Sequence, residues 1–269
     1  MIEFRDATVR YPGTDGPAVD RFSHAFPSRR LTALVGTSGC GKTTLLRMIN
    51  RMVAPTSGTV LVDGADVATR NPVELRRSIG YVIQGSGLLP HRTVEQNILT
   101  VPRLRRQRTG ARGLGELMEM VGLSPDLRRR YPGELSGGQA QRVGVARALA
   151  HDPNILLMDE PFGAVDPLIR RDLQENLLQL QEELHKTIVL VTHDMNEAFR
   201  LADEIVLLSG DAHIEQVGSA EELLMNPTSE HVRRFVGDDA RSLSVDPGTG
   251  IVRDAHGHVI GTAGAARER

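Results

Sequence analysis

The sequence predicts an α/β fold built around a phosphate-binding loop, with an antiparallel β subdomain and an inserted helical subdomain. Three observations predict it. Gly36-Thr37-Ser38-Gly39-Cys40-Gly41-Lys42-Thr43-Thr44 stands between an apolar run at 31–35 and a helical pattern at 45–49. That order of strand, glycine-rich loop and helix is the setting in which G-x-x-x-x-G-K-[ST] cradles phosphate. The runs Ile155-Leu156-Leu157-Met158 and Ile188-Val189-Leu190-Val191 are almost wholly apolar, as strands covered on both faces read. Between Val94 and Arg130 the pattern is helical and basic, with no strong strand.

Taken in order, residues 1–26 alternate apolar and polar in places and hold Tyr11-Pro12-Gly13, which predicts short antiparallel strands joined by turns. Further strands are expected at 31–35, 59–62, 79–83, 155–159, 187–192 and 204–208. In the loop, Gly36, Gly39 and Gly41 keep Cβ atoms out of a backbone curl whose N–H groups point at an anion. The helix that follows adds its positive end. Lys42 is the charge expected on the β- and γ-phosphates, and Thr43 offers a hydroxyl to Mg²⁺. The ligand class is therefore a nucleoside triphosphate with magnesium, although kinases, GTPases and motors share such a loop.

Ser136-Gly137-Gly138 at the start of a helical run is a second anion site, or else a flexible N-cap. Asp159 and Glu160 end a buried strand, where open α/β sheets bind ligands. Asp159 is placed to hold Mg²⁺ and Glu160 to polarise an attacking water. Asp166 and Pro167 read as the N-cap and first residue of a helix over 168–185, with Leu173, Leu177, Leu180 and Leu184 as its apolar stripe. Asp194 with Glu197 reads as a capping box. Residues 252–260 suggest a hairpin, and 262–269 a disordered tail.

Composition bounds the reading. The 269 residues are 40% hydrophobic and 25% charged with a formal net charge of −2, ordinary for a globular protein and without a global pull toward nucleic acid. No apolar run is long enough to span a bilayer, the N-terminus does not read as a signal peptide, and a cytoplasmic location is expected. The one cysteine, Cys40, excludes an internal disulfide; it reads as a small residue in a tight bend, or as a thiol made reactive by the helix terminus. The runs at 103–108 and 128–130 are solvated faces, or contacts with acidic loops or lipid headgroups.

The loop, Leu135-Ser136-Gly137-Gly138-Gln139 and Asp159-Glu160, in that order, resemble the nucleotide-binding subunits of ATP-binding cassette (ABC) transporters. The resemblance covers about residues 1–236 and implies a P-loop NTPase core with a helical subdomain at about 86–150; 237–269 is left as a short extension. It implies a head-to-tail dimer in which ATP lies between Lys42 of one copy and Ser136, Gly137, Gly138 and Gln139 of the other. It makes Gln84 the glutamine that senses Mg²⁺ and the attacking water, His193 the switch histidine, Asp166 an interface residue and Tyr11 the aromatic that stacks on adenine. The segment Gly85-Ser86-Gly87-Leu88-Leu89-Pro90-His91 is expected to be apolar and exposed, a groove for integral membrane permease subunits.

Ile79-Gly80-Tyr81-Val82-Ile83-Gln84, Leu88-Leu89-Pro90-His91-Arg92-Thr93-Val94, and Glu160-Pro161-Phe162-Gly163-Ala164-Val165-Asp166-Pro167 resemble ATPases of osmoprotectant importers, which move glycine betaine, proline, choline or carnitine. That resemblance implies a peripheral protein on the cytoplasmic face of the membrane, served by a solute-binding protein and having no nucleic-acid partner. Gly85 and Ser86 depart from the bulkier residues expected after the glutamine. Tandem cystathionine-β-synthase-type domains, frequent in that group, are not expected. Two alternatives are an importer of amino acids or other small solutes, and an ABC ATPase of DNA repair or translation. The second is disfavoured by the single cassette and the compact segment from Gln84 to Leu135.

Overall fold

The computed structural model describes residues 1–105, 113–163, 167–237, 244–246, 249, 251–253 and 259–262. The chain divides into two compact units, Met1–Ala220 and Glu221–Arg269; the boundary expected near 237 falls inside the second.

In the first unit, β1 (Ile2–Val9) and β2 (Val19–Phe26) form an antiparallel sheet with β4 (Ser57–Val62) and β5 (Ala65–Asp66), in the order β2-β1-β4-β5. Its inner face is aromatic. The Phe4 ring meets Phe22 edge-on at 5.2 Å and Phe26 at 5.9 Å, a geometry favoured by ring quadrupoles.

The second sheet holds β3 (Leu31–Gly36), β6 (Ile79–Val82), β7 (Ile155–Asp159), β8 (Thr187–Thr192), β9 (Glu204–Ser209) and β10 (His213–Gly218). Its order is β10-β9-β3-β8-β7-β6, parallel from β9 to β6, with β10 antiparallel at the edge. Every residue of β3, β7 and β8 is buried, which explains their unbroken apolar runs. Because β3, β8, β7 and β6 are neighbours and parallel, their carboxyl ends lie side by side over about 14 Å.

The helices of this unit are α1 (Lys42–Ile49), α2 (Pro72–Ser78), α3 (Val94–Ile98), α4 (Thr100–Leu104), α5 (Leu114–Met120), α6 (Gly137–Leu149), α7 (Pro167–Leu184) and α8 (Met195–Leu201). The expected helical stretch from 94 to 130 is thus several short pieces. Thr93 starts α3 with a complete capping box. On α7, Leu173, Leu177 and Leu180 are buried while Leu184 is only half-buried. Asp166 and the neighbouring 164–165 lie outside the described residues, as does part of the 103–108 basic run.

One core cluster joins α1 and the antiparallel sheet to one face of the parallel sheet; the other joins the opposite face to α3, α5, α6 and α7. The second unit contains α9 (Ala220–Met225), α10 (Glu230–Val236) and three short antiparallel strands, β11 (Ser244–Val245), β12 (Ile251–Arg253) and β13 (Val259–Thr262). The expected hairpin is the β12–β13 pair; residues 263–269 are outside the described set.

Candidate functional site

The phosphate loop leaves β3 and enters α1 through Gly41, whose φ of +102° is open to glycine and strained for other residues. A Cβ there would also lie 2.5 Å from the Ala18 carbonyl oxygen. Lys42 is buried, and its Nζ donates to the carbonyls of Gly36 and Thr37, both at 2.7 Å, inside the curl of the loop. Thr37, Ser38 and Gly39 are exposed at its rim.

Beside it opens a cleft of about 370 Å³. Tyr11, Ser38, Gly39, Gly41, Lys42, Thr43 and Thr44 line one side, and Gln84 and Glu160 the other. The Tyr11 hydroxyl lies 3.3 Å from Thr44 Oγ1, with the ring partly exposed, available as a flat apolar surface.

Asp159 closes β7 almost wholly buried, and Thr43 Oγ1 donates to its Oδ1 at 2.9 Å. Burial pushes the Asp159 carboxyl above the usual carboxylate range; the Thr43 bond and the Arg47 guanidinium oppose that, while the Glu160 charge adds to it. The Tyr81 hydroxyl approaches Asp159 Oδ2 at 3.5 Å. Tyr81 is itself raised, first by burial and then by the Asp159 charge.

Glu160, one residue on, joins three elements. Gln84 Nε2 donates to its Oε2 at 2.9 Å, and His193 Nδ1 lies 3.3 Å from its Oε1. Its own N–H donates to the Val191 carbonyl at 3.0 Å, and its φ is +45°. Left-handed backbone at a non-glycine strand end is a strained feature of the kind that gathers at functional sites.

The structure therefore brings together Tyr11, the loop, Thr43, Gln84, Asp159, Glu160 and His193. Ser136, Gly137, Gly138 and Gln139 do not line this cleft; they form the start of α6. Ser136 Oγ accepts from the Gln139 N–H at 3.2 Å, Gln139 Oε1 accepts from the Ser136 N–H at 3.0 Å, and Ser136 and Gly137 face solvent.

One expectation needs correction and two are narrowed. Cys40 is only 3% exposed and its sulfur lies 3.6 Å from Lys42 Nζ inside the loop, which fits the reading of a small residue in a tight bend rather than that of a reactive thiol. Asp194 caps α8 through the Asn196 N–H, but Glu197 makes no capping box: its Oε2 accepts from Thr192 Oγ1 at 2.6 Å, and burial raises its pKa. In the segment after Gln84, Gly85, Gly87, Pro90 and His91 are exposed as expected, while Ser86, Leu88 and Leu89 are half-buried, Leu88 packing on the core and Leu89 held by Asn97 through its N–H and carbonyl.

Sequence reasoning missed Tyr81, Arg47 and Arg147. A tyrosine in a buried apolar strand, and an arginine among Val143, Ala146, Ala148 and Leu149, were the signals available.

Comparison with known proteins places the chain in a family. A family model described as ABC transporter matches residues 19–163. The chain is 52% identical over 244 residues to the glycine betaine/carnitine/choline transport ATP-binding protein OpuCA of Bacillus subtilis, covering 89% of this chain and 63% of that protein. It is 47% identical to the glycine betaine uptake system ATP-binding protein YehX of Escherichia coli, covering 88% of this chain and 77% of that protein. Against the dimeric ATP-binding cassette MJ0796, solved in a post-hydrolysis state with ADP and Pi, the TM-score is 0.73 at 31% identity, covering 81% of this chain and 98% of that one. The chain belongs to the ABC transporter family. It spans 63–65% of the length of two Bacillus subtilis relatives, the choline transport protein OpuBA and OpuCA.

Proposed function

We propose that the chain is the ATP-hydrolysing subunit of an importer of quaternary ammonium osmoprotectants such as glycine betaine, choline or carnitine. The observation that carries the hydrolytic reading is Glu160 at the mouth of the phosphate cleft, with Gln84 and His193 each on one of its oxygens. A carboxylate so held is fixed in direction, as a residue that orients an attacking water must be. Lys42 supplies positive charge where phosphates enter, and Tyr11 a stacking surface for the base.

Thr43 Oγ1 and Asp159 Oδ1, 2.9 Å apart, are hard oxygen donors that fit Mg²⁺, and Gln84, a proposed third, lines the same cleft as Thr43. Mg²⁺, when bound, neutralises charge on the β- and γ-phosphate oxygens. The exposed start of α6 is a second phosphate surface that this cleft lacks. It supports a head-to-tail dimer in which Ser136, Gly137 and Gly138 of a second copy complete the site, with Asp166 at that interface. The substrate class rests on the relatives' names and reaches this chain through permease and solute-binding partners. Among the described residues no helix is long and apolar enough to cross a membrane, which suits a subunit held peripherally by a permease.

The test is Glu160→Gln. The amide keeps the side-chain length but removes the carboxylate that directs the water. Turnover falls by about 10²–10³ or more, while affinity for a fluorescent ATP analogue stays within a fewfold. Phosphate release at the wild-type rate would remove Glu160 from this role. Betaine uptake by cells carrying the chain with its permease partners, lost in E160Q, tests the transport half.

A further inference from the structure

Three consecutive residues after Gln84 have left-handed backbone: Gly85 at φ +74°, Ser86 at +62° and Gly87 at +49°. For an L-residue such as Ser86 this conformation is intrinsically unfavourable, so the surroundings must impose it. Within the segment only the Gly87 N–H to Gly85 carbonyl contact, 2.8 Å, helps. The stronger hold comes from α6. Arg147 donates one terminal nitrogen to the Gly87 carbonyl at 2.7 Å and the other to the Ser86 carbonyl at 2.9 Å.

The neighbours are shaped to this grip. Gly144, one turn before Arg147, faces Ser86: a Cβ there would lie 3.3 Å from the Ser86 carbonyl oxygen. A Cβ on Gly87 would overlap the Ile83 side chain. Arg147 is half-buried and makes no ion pair among the described residues, so the two carbonyls are the partners of its guanidinium. A fork of donors suits two adjacent carbonyls in a way that a lysine's point charge does not.

We propose that Arg147 is a positioning residue. It grips Ser86 and Gly87, fixes the backbone that presents Gln84 to Glu160, and so ties that contact to the helix that Ser136 begins. The proposal rests on the hydrolytic reading above. It also assigns a purpose to the small residue Ser86, which lies against Gly144 of α6, while Gly85 answers to its φ of +74°, since a Cβ there would meet nothing within 4 Å.

The experiment measures kcat, KM, nucleotide affinity and melting temperature for R147M, R147K and G144A. R147M is expected to lower kcat by about 10–100-fold, with affinity for a fluorescent ATP analogue within twofold, because Tyr11 and Lys42 are untouched. R147K should fall between R147M and wild type. G144A, which presses on the Ser86 carbonyl, should lower kcat severalfold without lowering the melting temperature, because alanine is the better helix former. Wild-type kcat in R147M would overturn the proposal, as would turnover, nucleotide binding and melting temperature falling together in both R147M and G144A. If R147M does not fold, G144A alone decides. If the wild-type chain hydrolyses no ATP, the hydrolytic reading fails separately. Hydrogen exchange at 85–88, faster in R147M at equal global stability, then tests the grip, and unchanged exchange would refute it.

Discussion

Glu160 shows how backbone and side chain are set together at one residue. Its N–H is tied to β8 through Val191, its left-handed φ turns the chain out of β7, and its two oxygens meet side chains that follow β6 and β8. The adjacency of Asp159 and Glu160 was legible in the sequence because strand-end carboxylates beside a phosphate loop have few other uses. The strain at Glu160 was not, because φ is decided by where neighbouring strands end. His151 is the opposite case, a titratable group with no catalytic contact. Both of its ring nitrogens are buried without hydrogen-bond partners, and its pKa is lowered to about 4, first by burial and then by Arg105. The unfolded chain therefore binds a proton at His151 between about pH 6.5 and 4 that the folded chain does not. Its stabilising effect is complete above that window and is lost as pH falls through it. The loss is up to about 3 kcal/mol, less whatever solvent screening removes. Urea unfolding at pH 7 and pH 4 should show His151→Leu losing less stability than wild type across that interval. Equal losses would show that His151 is not the group responsible.

At the scale of elements, α7 and α6 differ in how openly they announce their partners. The stripe of Leu173, Leu177 and Leu180 repeats at helical spacing, and all three are buried against the second core cluster. Leu177→Ala should cost about 2–5 kcal/mol in urea unfolding through the cavity it leaves. Glu182→Ala, on the exposed face, should change stability by no more than about 0.5 kcal/mol. Similar costs for both would mean that α7 does not pack as described. For α6 the start was legible, because Ser136-Gly137-Gly138 precedes a helical run, and the structure adds the reciprocal cap bonds of Ser136 and Gln139. Arg147 was not: a guanidinium that binds distant backbone carbonyls leaves no periodic trace, and Ser86 and Gly87 enter its reach only once α6 lies across them. Glu197 likewise departs from its local signal, because it accepts from the buried Thr192 hydroxyl, which itself takes the Asp194 N–H at 3.0 Å.

For the molecule as a whole, what the order of motifs conveyed best is which segments gather at the cleft and which does not. The cleft gathers residues from the ends of β3, β6 and β7, while the exposed start of α6 lies outside it. On the dimer reading, Ser136→Ala in the E160Q background should weaken ATP-dependent dimerisation at least tenfold by sedimentation, while monomer affinity for ATP is preserved. Lost capping alone costs only about 1 kcal/mol and should appear as a small drop in melting temperature. Unchanged dimerisation would argue that the second phosphate surface is not used. Where the helical stretch breaks into short pieces was not legible, since those breaks follow from packing against the sheet.

Cys40, the one cysteine of the sequence, lies within the phosphate loop with its sulfur buried beside Lys42 Nζ. For labelling chemistry the natural chain is therefore close to a silent background. A cysteine placed on the exposed face of α7, or at the rim of the cleft, would be the fast-reacting thiol in the folded protein. A fluorophore or spin label there would report the proposed dimer closure without first removing the native residue. Labelling of the unmodified chain would appear only when the loop region unfolds, so the same residue serves as an internal clock for local opening.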